Sequence, residues 1–327
     1  MRLIPTSSYI MPVHPGTEGW EIERLAAEQH EFPATGKSHK RAVFLFSHGI
    51  GFNKEAYHPF IKRFVDHLRS LREYDLIDIH VVISDARFHG ESARLNQGKF
   101  SPTYRWIDNA LDIKQVVDEL KLKQNYDQLI AVGHSFGASS MILLQSFFPH
   151  TFDGLCLIEP ALKNNFTPME IRLKHPAYSA HKRKDEWFNR EACLKSFSKG
   201  PFWSRFHPEA LQNYVDYGTY DTDQGTIRLK CPKEHERRLY LSAFPEGFTA
   251  FNSARLLKVP VHYVFASLSS TLTSEIRESV VPLNSEWATS TIVEGTHMLP
   301  CEVPDMLVPE VMKLISRVNN MKESSKL

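Results

Sequence analysis

From residue 42 onward, short apolar runs alternate with amphipathic stretches, the pattern of a mostly parallel sheet with crossover helices. Ala42-Val43-Phe44-Leu45-Phe46 reads as a buried strand. Residues 54–71 follow as a helix with Phe60, Phe64, Val65 and Leu68 on one face, and Ile79-His80-Val81-Val82-Ile83 is the next strand. The stretch 106–122 sets Trp106, Ala110, Ile113, Val117 and Leu120 at helical spacing. Leu129-Ile130-Ala131-Val132 is a strand running into Gly133, and 138–148 continues as a helix stopped by Pro149. Leu155-Cys156-Leu157-Ile158 is a further strand.

The alternation then lapses. Residues 161–254 are rich in Lys, Arg, Trp, Phe, Tyr and Pro, show helical patches without a convincing core strand, and read as an inserted lid. The sheet resumes at Val261-His262-Tyr263-Val264-Phe265 and ends with 289–293. A last helix over 304–321 carries Val308, Val311, Met312, Leu314, Ile315 and Val318. The expected fold class is α/β, with a core built from 1–160 and 255–322, a lid over 161–254 and a tail over 323–327. Composition agrees: 327 residues, 42% hydrophobic and 24% charged, suit one large domain with an insertion rather than a disordered chain. With 39 basic against 38 acidic residues, the net charge of +1 gives nucleic acid or an anionic membrane no bulk attraction. Apolar runs such as 42–46 and 141–144 are far too short to span a bilayer. The first residues lack the apolar stretch of a secretory signal, and Cys156, Cys193, Cys231 and Cys301 show no paired spacing, so they read as reduced thiols. Ser325-Lys326-Leu327 is the tripeptide read by the peroxisomal import receptor, which makes the peroxisomal matrix the expected location.

The strongest internal signal is Gly133-His134-Ser135-Phe136-Gly137, a G-x-S-x-G element between a strand and a helix. A turn that tight leaves no room for Cβ atoms beside Ser135, whose hydroxyl is then exposed above the sheet as a nucleophile. A serine hydroxyl needs a base, and His297 follows the last strand in Gly295-Thr296-His297. Two backbone amides should receive the oxyanion: that of Phe136, and one from the loop Ser47-His48-Gly49-Ile50-Gly51, with Ile50 favoured and Gly51 second. The acid is less plain. The stretch after 261–265 reads Ala266-Ser267-Leu268-Ser269-Ser270-Thr271, with no carboxylate until Glu275. Glu159 instead ends the strand after the elbow, and a carboxylate there reaches a histidine ring; it is the expected third member, with Glu275 the alternative. Asp85 to Ser92, another post-strand segment, reads as a structural turn whose Asp85 and Arg87 tie loops together.

These motifs, with His48-Gly49-Ile50-Gly51 and Asp85-x-Arg87-x-His89-Gly90-x-Ser92, resemble the α/β-hydrolase superfamily from about residue 40 to the end. Within it, Tyr214-Val215-Asp216-Tyr217-Gly218, Ile227-Arg228-Leu229-Lys230-Cys231-Pro232 and Glu234 resemble a fungal subgroup. That subgroup includes peroxisomal hydrolases of AK-toxin-type host-selective toxin biosynthesis and acyl-CoA hydrolases of secondary metabolism. The resemblance places the acid after the strand that follows the elbow, as at Glu159, although aspartate is the usual residue. It implies a serine hydrolase acting on a small-molecule acyl ester or acyl-CoA without metal or organic cofactor. A general peroxisomal esterase or a non-catalytic binding relative is the alternative. The lid run His181-Lys182-Arg183-Lys184, with Lys199 and Arg205, is positioned to meet CoA phosphates or to form a solvated face. Trp187, Phe188, Phe202, Trp203 and Phe206 suit an acyl pocket or a lid core.

Overall fold

In the computed structural model, which describes residues 2–38, 40–165, 180 and 182–324, the apolar runs form the centre of an eight-stranded sheet. Its strands are β1 (Ser7–Pro12), β2 (Arg24–Phe32), β3 (Lys40–Ser47), β4 (Ile77–Ser84), β5 (Gln128–His134) and β6 (Gly154–Ile158). Three short strands of the insertion follow: β7 (Glu186–Trp187), β8 (Thr219–Asp221) and β9 (Ile227–Leu229). The main sheet is completed by β10 (Val261–Ala266) and β11 (Ala288–Val293). The order is β1-β2-β4-β3-β5-β6-β10-β11, antiparallel at β1/β2 and β2/β4 and parallel elsewhere.

Strand periodicity divides the core in two. Val43, Leu45, Ala131, Leu155 and Leu157 face one side, against helices Trp106–Glu119 and Phe136–Phe147. Ala42, Phe44, Phe46, Val132, Cys156 and Ile158 face the other, against His58–Ser70 and Pro304–Ser324. Because both faces are covered, β3, β5 and β6 read as unbroken apolar runs. The chain leaves β3 toward β4 on one side and later enters β5 on the other. The loops after β3 and β5 therefore open at a topological switch point, where a crevice forms outside the strand ends.

Two features extend the sequence reading. The sheet begins at Ser7, because the hairpin β1–β2 pairs antiparallel and then joins β4. The insertion contains a separate three-stranded sheet, β7-β9-β8, together with helices Arg190–Ser198, Pro208–Gly218 and Lys233–Ser253. The four cysteines are free and buried, as the sequence implies.

The structural turn after β4 anchors the N-terminal region. Arg87 is buried and forks onto both carboxylate oxygens of Asp112, at 2.6 and 2.8 Å, while its other arm donates to Glu23 at 2.8 Å and to the Glu18 carbonyl. Asp85 accepts from the backbone N–H groups of Lys54 and Glu91, both at 2.8 Å, and pairs with Lys54 Nζ at 3.0 Å. Helix Lys233–Ser253 is tied to the core by Glu246, which accepts the Ile107 N–H at 2.8 Å. Burial pushes the Glu246 carboxyl up to about 7 despite that bond.

Arg87→Met leaves two buried carboxylates uncompensated, so urea denaturation should show a loss of about 3–5 kcal/mol. Glu246 binds a proton in the folded state at pH values where the unfolded chain has released it, so stability falls as pH rises from about 4.5 through about 7. Urea midpoints at pH 5.5 and 8 should differ in this direction for the parent, and Glu246→Gln should reduce the difference; equal differences would exclude Glu246 as its source.

Candidate active site

Ser135 occupies the bend between β5 and helix Phe136–Phe147 with φ +53°. The neighbouring glycines are sterically required: a Cβ at Gly133 would lie 2.6 Å from Ala138 Cα, and one at Gly137 would lie 2.6 Å from the Ser47 carbonyl oxygen. The bend is fixed by Ser135 N–H donating to the Ile158 carbonyl at 3.0 Å, while the Ser135 carbonyl accepts from Ser139 N–H at 3.0 Å.

His297 Nε2 lies 2.8 Å from Ser135 Oγ, and His297 Nδ1 lies 3.0 Å from Glu159 Oε2. Glu159 is fully buried, with φ +47° at the end of β6. Its Oε1 accepts the Ala266 N–H at 2.7 Å, and its Oε2 accepts the Ser269 hydroxyl at 2.5 Å. The serine-rich loop after β10, which lacks a carboxylate, thus supplies donors that satisfy the carboxylate from β6. Glu275 lies exposed at the start of helix Ser274–Val280, where it accepts from Asn164 Nδ2 at 2.9 Å.

On the other side of Ser135, the Gly51 N–H donates to His89 Nε2 at 2.9 Å. Gly51 is thereby committed elsewhere, whereas the Ile50 and Phe136 amides meet no acceptor among the described residues. Two residues to which the motifs assigned no role, Tyr57 and His134, hold this geometry. Gly49 N–H donates to the Tyr57 hydroxyl at 2.9 Å, that hydroxyl donates to His134 Nδ1 at 2.6 Å, and His134 Nε2–H donates to the His297 carbonyl at 2.7 Å. This sequence needs a neutral His134. Burial, together with repulsion from His297, holds its pKa well below the usual histidine range. His48 contributes by accepting the Ala86 N–H at 3.0 Å and donating to the Gly49 carbonyl at 2.8 Å. The x position of the G-x-S-x-G element was the available signal for His134; Tyr57 and Ser269 had none.

Ser135, His134 and His297 line a cavity of about 570 Å³, whose wall includes Ile50, Trp106, Phe202, Tyr240 and Met298. Of the insertion's aromatic residues, Phe202 lines it. Trp203 packs with Phe52 and Tyr214, Phe206 packs with Phe52, Trp187 packs on Phe197, and Phe188 is exposed. Among the basic residues, Arg183 pairs with Glu236, Arg205 lies 3.7 Å from Glu302, and His181 lies outside the described residues. The donor atoms of Glu28, His30 and His58 converge in a buried trio. Leu3 N–H donates to His58 Nδ1, placing the ring hydrogen on Nε2, so that nitrogen faces Glu28 as a donor rather than as a metal ligand.

The chain is 22% identical over 289 residues to the peroxisomal membrane protein LPX1 of Saccharomyces cerevisiae, a match covering 83% of this chain and 74% of that protein. It is 26% identical over 171 residues to the type I acyl-CoA thioesterase mpaH of Penicillium roqueforti, covering 51% of this chain and 37% of the relative. Among solved structures, the peroxisomal α/β-hydrolase Lpx1 of Saccharomyces cerevisiae superposes with a TM-score of 0.77 at 18% identity, over 97% of this chain and 87% of that one. E-2-(acetamidomethylene)succinate hydrolase superposes with a TM-score of 0.72 at 18% identity, over 95% and 99% of the two chains. The family model described as "Alpha/beta hydrolase family" matches residues 43–310. With the sheet order, the elbow and this match in agreement, the chain belongs to the α/β-hydrolase family.

Proposed function

We propose that this α/β-hydrolase is a peroxisomal serine hydrolase that cleaves an ester or acyl-CoA thioester through an acyl-Ser135 intermediate. The observation that carries the reading is the continuous hydrogen-bonded path from Ser135 Oγ through both ring nitrogens of His297 to Glu159. His297 Nε2 takes the hydroxyl proton as Oγ attacks the acyl carbonyl, while Glu159 fixes the tautomer and stabilises the imidazolium. The amides of Ile50 and Phe136 receive the oxyanion. Imidazolium then protonates the departing alcohol or thiol. A water deprotonated by His297 attacks the acyl carbonyl, and its proton returns to Ser135 Oγ as the acid leaves. Residues 161–254 act as the lid over this cavity.

The thioester arm of the proposal draws on the Penicillium acyl-CoA thioesterases, which this chain matches over less than half of their length. The peroxisomal location draws on Ser325-Lys326-Leu327, outside the described residues, and on the yeast peroxisomal relative. A role in fungal secondary-metabolite or toxin biosynthesis rests on the lid motifs.

A fluorophosphonate probe should label the protein, and Ser135→Ala should abolish labelling; equal labelling of both would refute the nucleophile and favour a binding relative. On esters and acyl-CoAs, Glu159→Gln should lower kcat by about 10³–10⁴-fold, while Glu275→Gln stays near the parent. The reverse order would transfer the acid role to Glu275. A fluorescent fusion should form peroxisomal puncta that become diffuse on deletion of the last three residues; puncta that persist would sink the targeting signal.

A further inference from the structure

The cavity at Ser135 is walled mainly by apolar side chains, yet one lysine lies among them: Lys163. Its backbone is held by Lys163 N–H donating to the Gly247 carbonyl at 3.1 Å. The preceding Ala161 accepts the Ser139 hydroxyl at 3.0 Å and donates its N–H to the Ser135 carbonyl at 3.4 Å. The segment bearing Lys163 is therefore attached to the nucleophile bend at one end and to helix Lys233–Ser253 at the other. Its aliphatic stem rests against that helix at Gly247, where an added Cβ would come within 3.3 Å of Lys163 Cγ.

Among the described residues, the fully buried cations Lys54 and Arg87 and the largely buried Arg183 are each paired with carboxylates. Lys54 meets Asp85 and Glu55, Arg87 meets Asp112 and Glu23, and Arg183 meets Glu236. Lys163 Nζ has no hydrogen-bond or ion-pair partner among the described residues, although the side chain is partly buried. Burial lowers its pKa without an opposing carboxylate to restore it. An ammonium withdrawn from water and left unpaired costs stability, and a bound anion would relieve that cost.

We propose that Lys163 is the anion-recognition residue of the cavity and selects substrates in which a carboxylate lies a few bonds from the scissile acyl group. Lys163 and Ser135 line the same cavity, so the anion and the reacting carbonyl belong to one small molecule. The charge-assisted hydrogen bond from Nζ contributes to binding and orientation, with no part in the bond-breaking step. The assignment rests on Ser135 being the nucleophile.

Two matched ester pairs test it. p-Nitrophenyl hydrogen glutarate against p-nitrophenyl butyrate carries the anion on the acyl side, and 4-acetoxybenzoate against phenyl acetate carries it on the leaving group. In Lys163→Met the anionic-to-neutral ratio of kcat/KM should fall about tenfold or more, through KM, in one pair, and Lys163→Arg should retain most of it. The responding pair identifies the side that carries the carboxylate. Unchanged ratios in both pairs, or parallel losses on anionic and neutral esters, would overturn the assignment. Thermal unfolding gives a readout independent of turnover: glutarate, but not glutaramide, should raise Tm of the parent and of Ser135→Ala, and not of Lys163→Met. No turnover of any ester, with Lys163-dependent stabilisation by glutarate, would sink the hydrolase reading and leave the anion site standing. Turnover without Lys163 dependence in either assay does the opposite.

Discussion

Ser135 and Glu159 both take positive φ at the ends of adjacent parallel strands, and the bond from Ser135 N–H to the Ile158 carbonyl joins the two bends. Neither residue is glycine, and each conformation costs about 1–3 kcal/mol. The surroundings enforce both. Close approach at Gly133 and Gly137 leaves the elbow no alternative path, and Glu159 N–H donates to the Val264 carbonyl at 2.8 Å. The same bends that strain the backbone bring a hydroxyl and a carboxylate from neighbouring strands to the two nitrogens of one imidazole. His297 needs only its own loop to arrive between them.

Around this point several buried polar groups are met by explicit pairing. Glu159 is satisfied by a backbone amide, a serine and the imidazole; Gly51 N–H by His89; Gly49 N–H by Tyr57. The amides of Ile50, which lines the cavity, and of Phe136, next to Ser135 at the helix start, meet no acceptor among the described residues. Donors left unmet beside the proposed nucleophile are what a reacting molecule would complete.

The parts legible in the sequence were those whose signal is local. β3, β5, β6 and β10 are apolar runs because both sheet faces are covered, and the elbow declares itself because its glycines are sterically compulsory. Glu159 was legible from its place at the end of the strand after the elbow, once the loop at 266–271 offered no carboxylate. The hairpin β1–β2 escaped because Glu28, Gln29 and His30 are polar yet buried within β2, which hides the strand's periodicity. The strands of the insertion escaped because two or three residues carry no measurable period. Tyr57 and Ser269 act through contacts across the fold and belong to no local motif.

Phe52, one residue past the Gly51 bend, packs against Trp203, Phe206 and Tyr214 of the insertion, with ring centroids 5.2–5.9 Å away. The stretch that carries the Ile50 amide is thus braced from above by residues far along the chain. An insertion transplanted from a relative would have to bring its own aromatic seat for Phe52, or the host would lose the set of the loop after β3 with every residue of its own core unchanged. In this fold the modular unit for exchange is accordingly larger than 161–254: it includes the loop after β3.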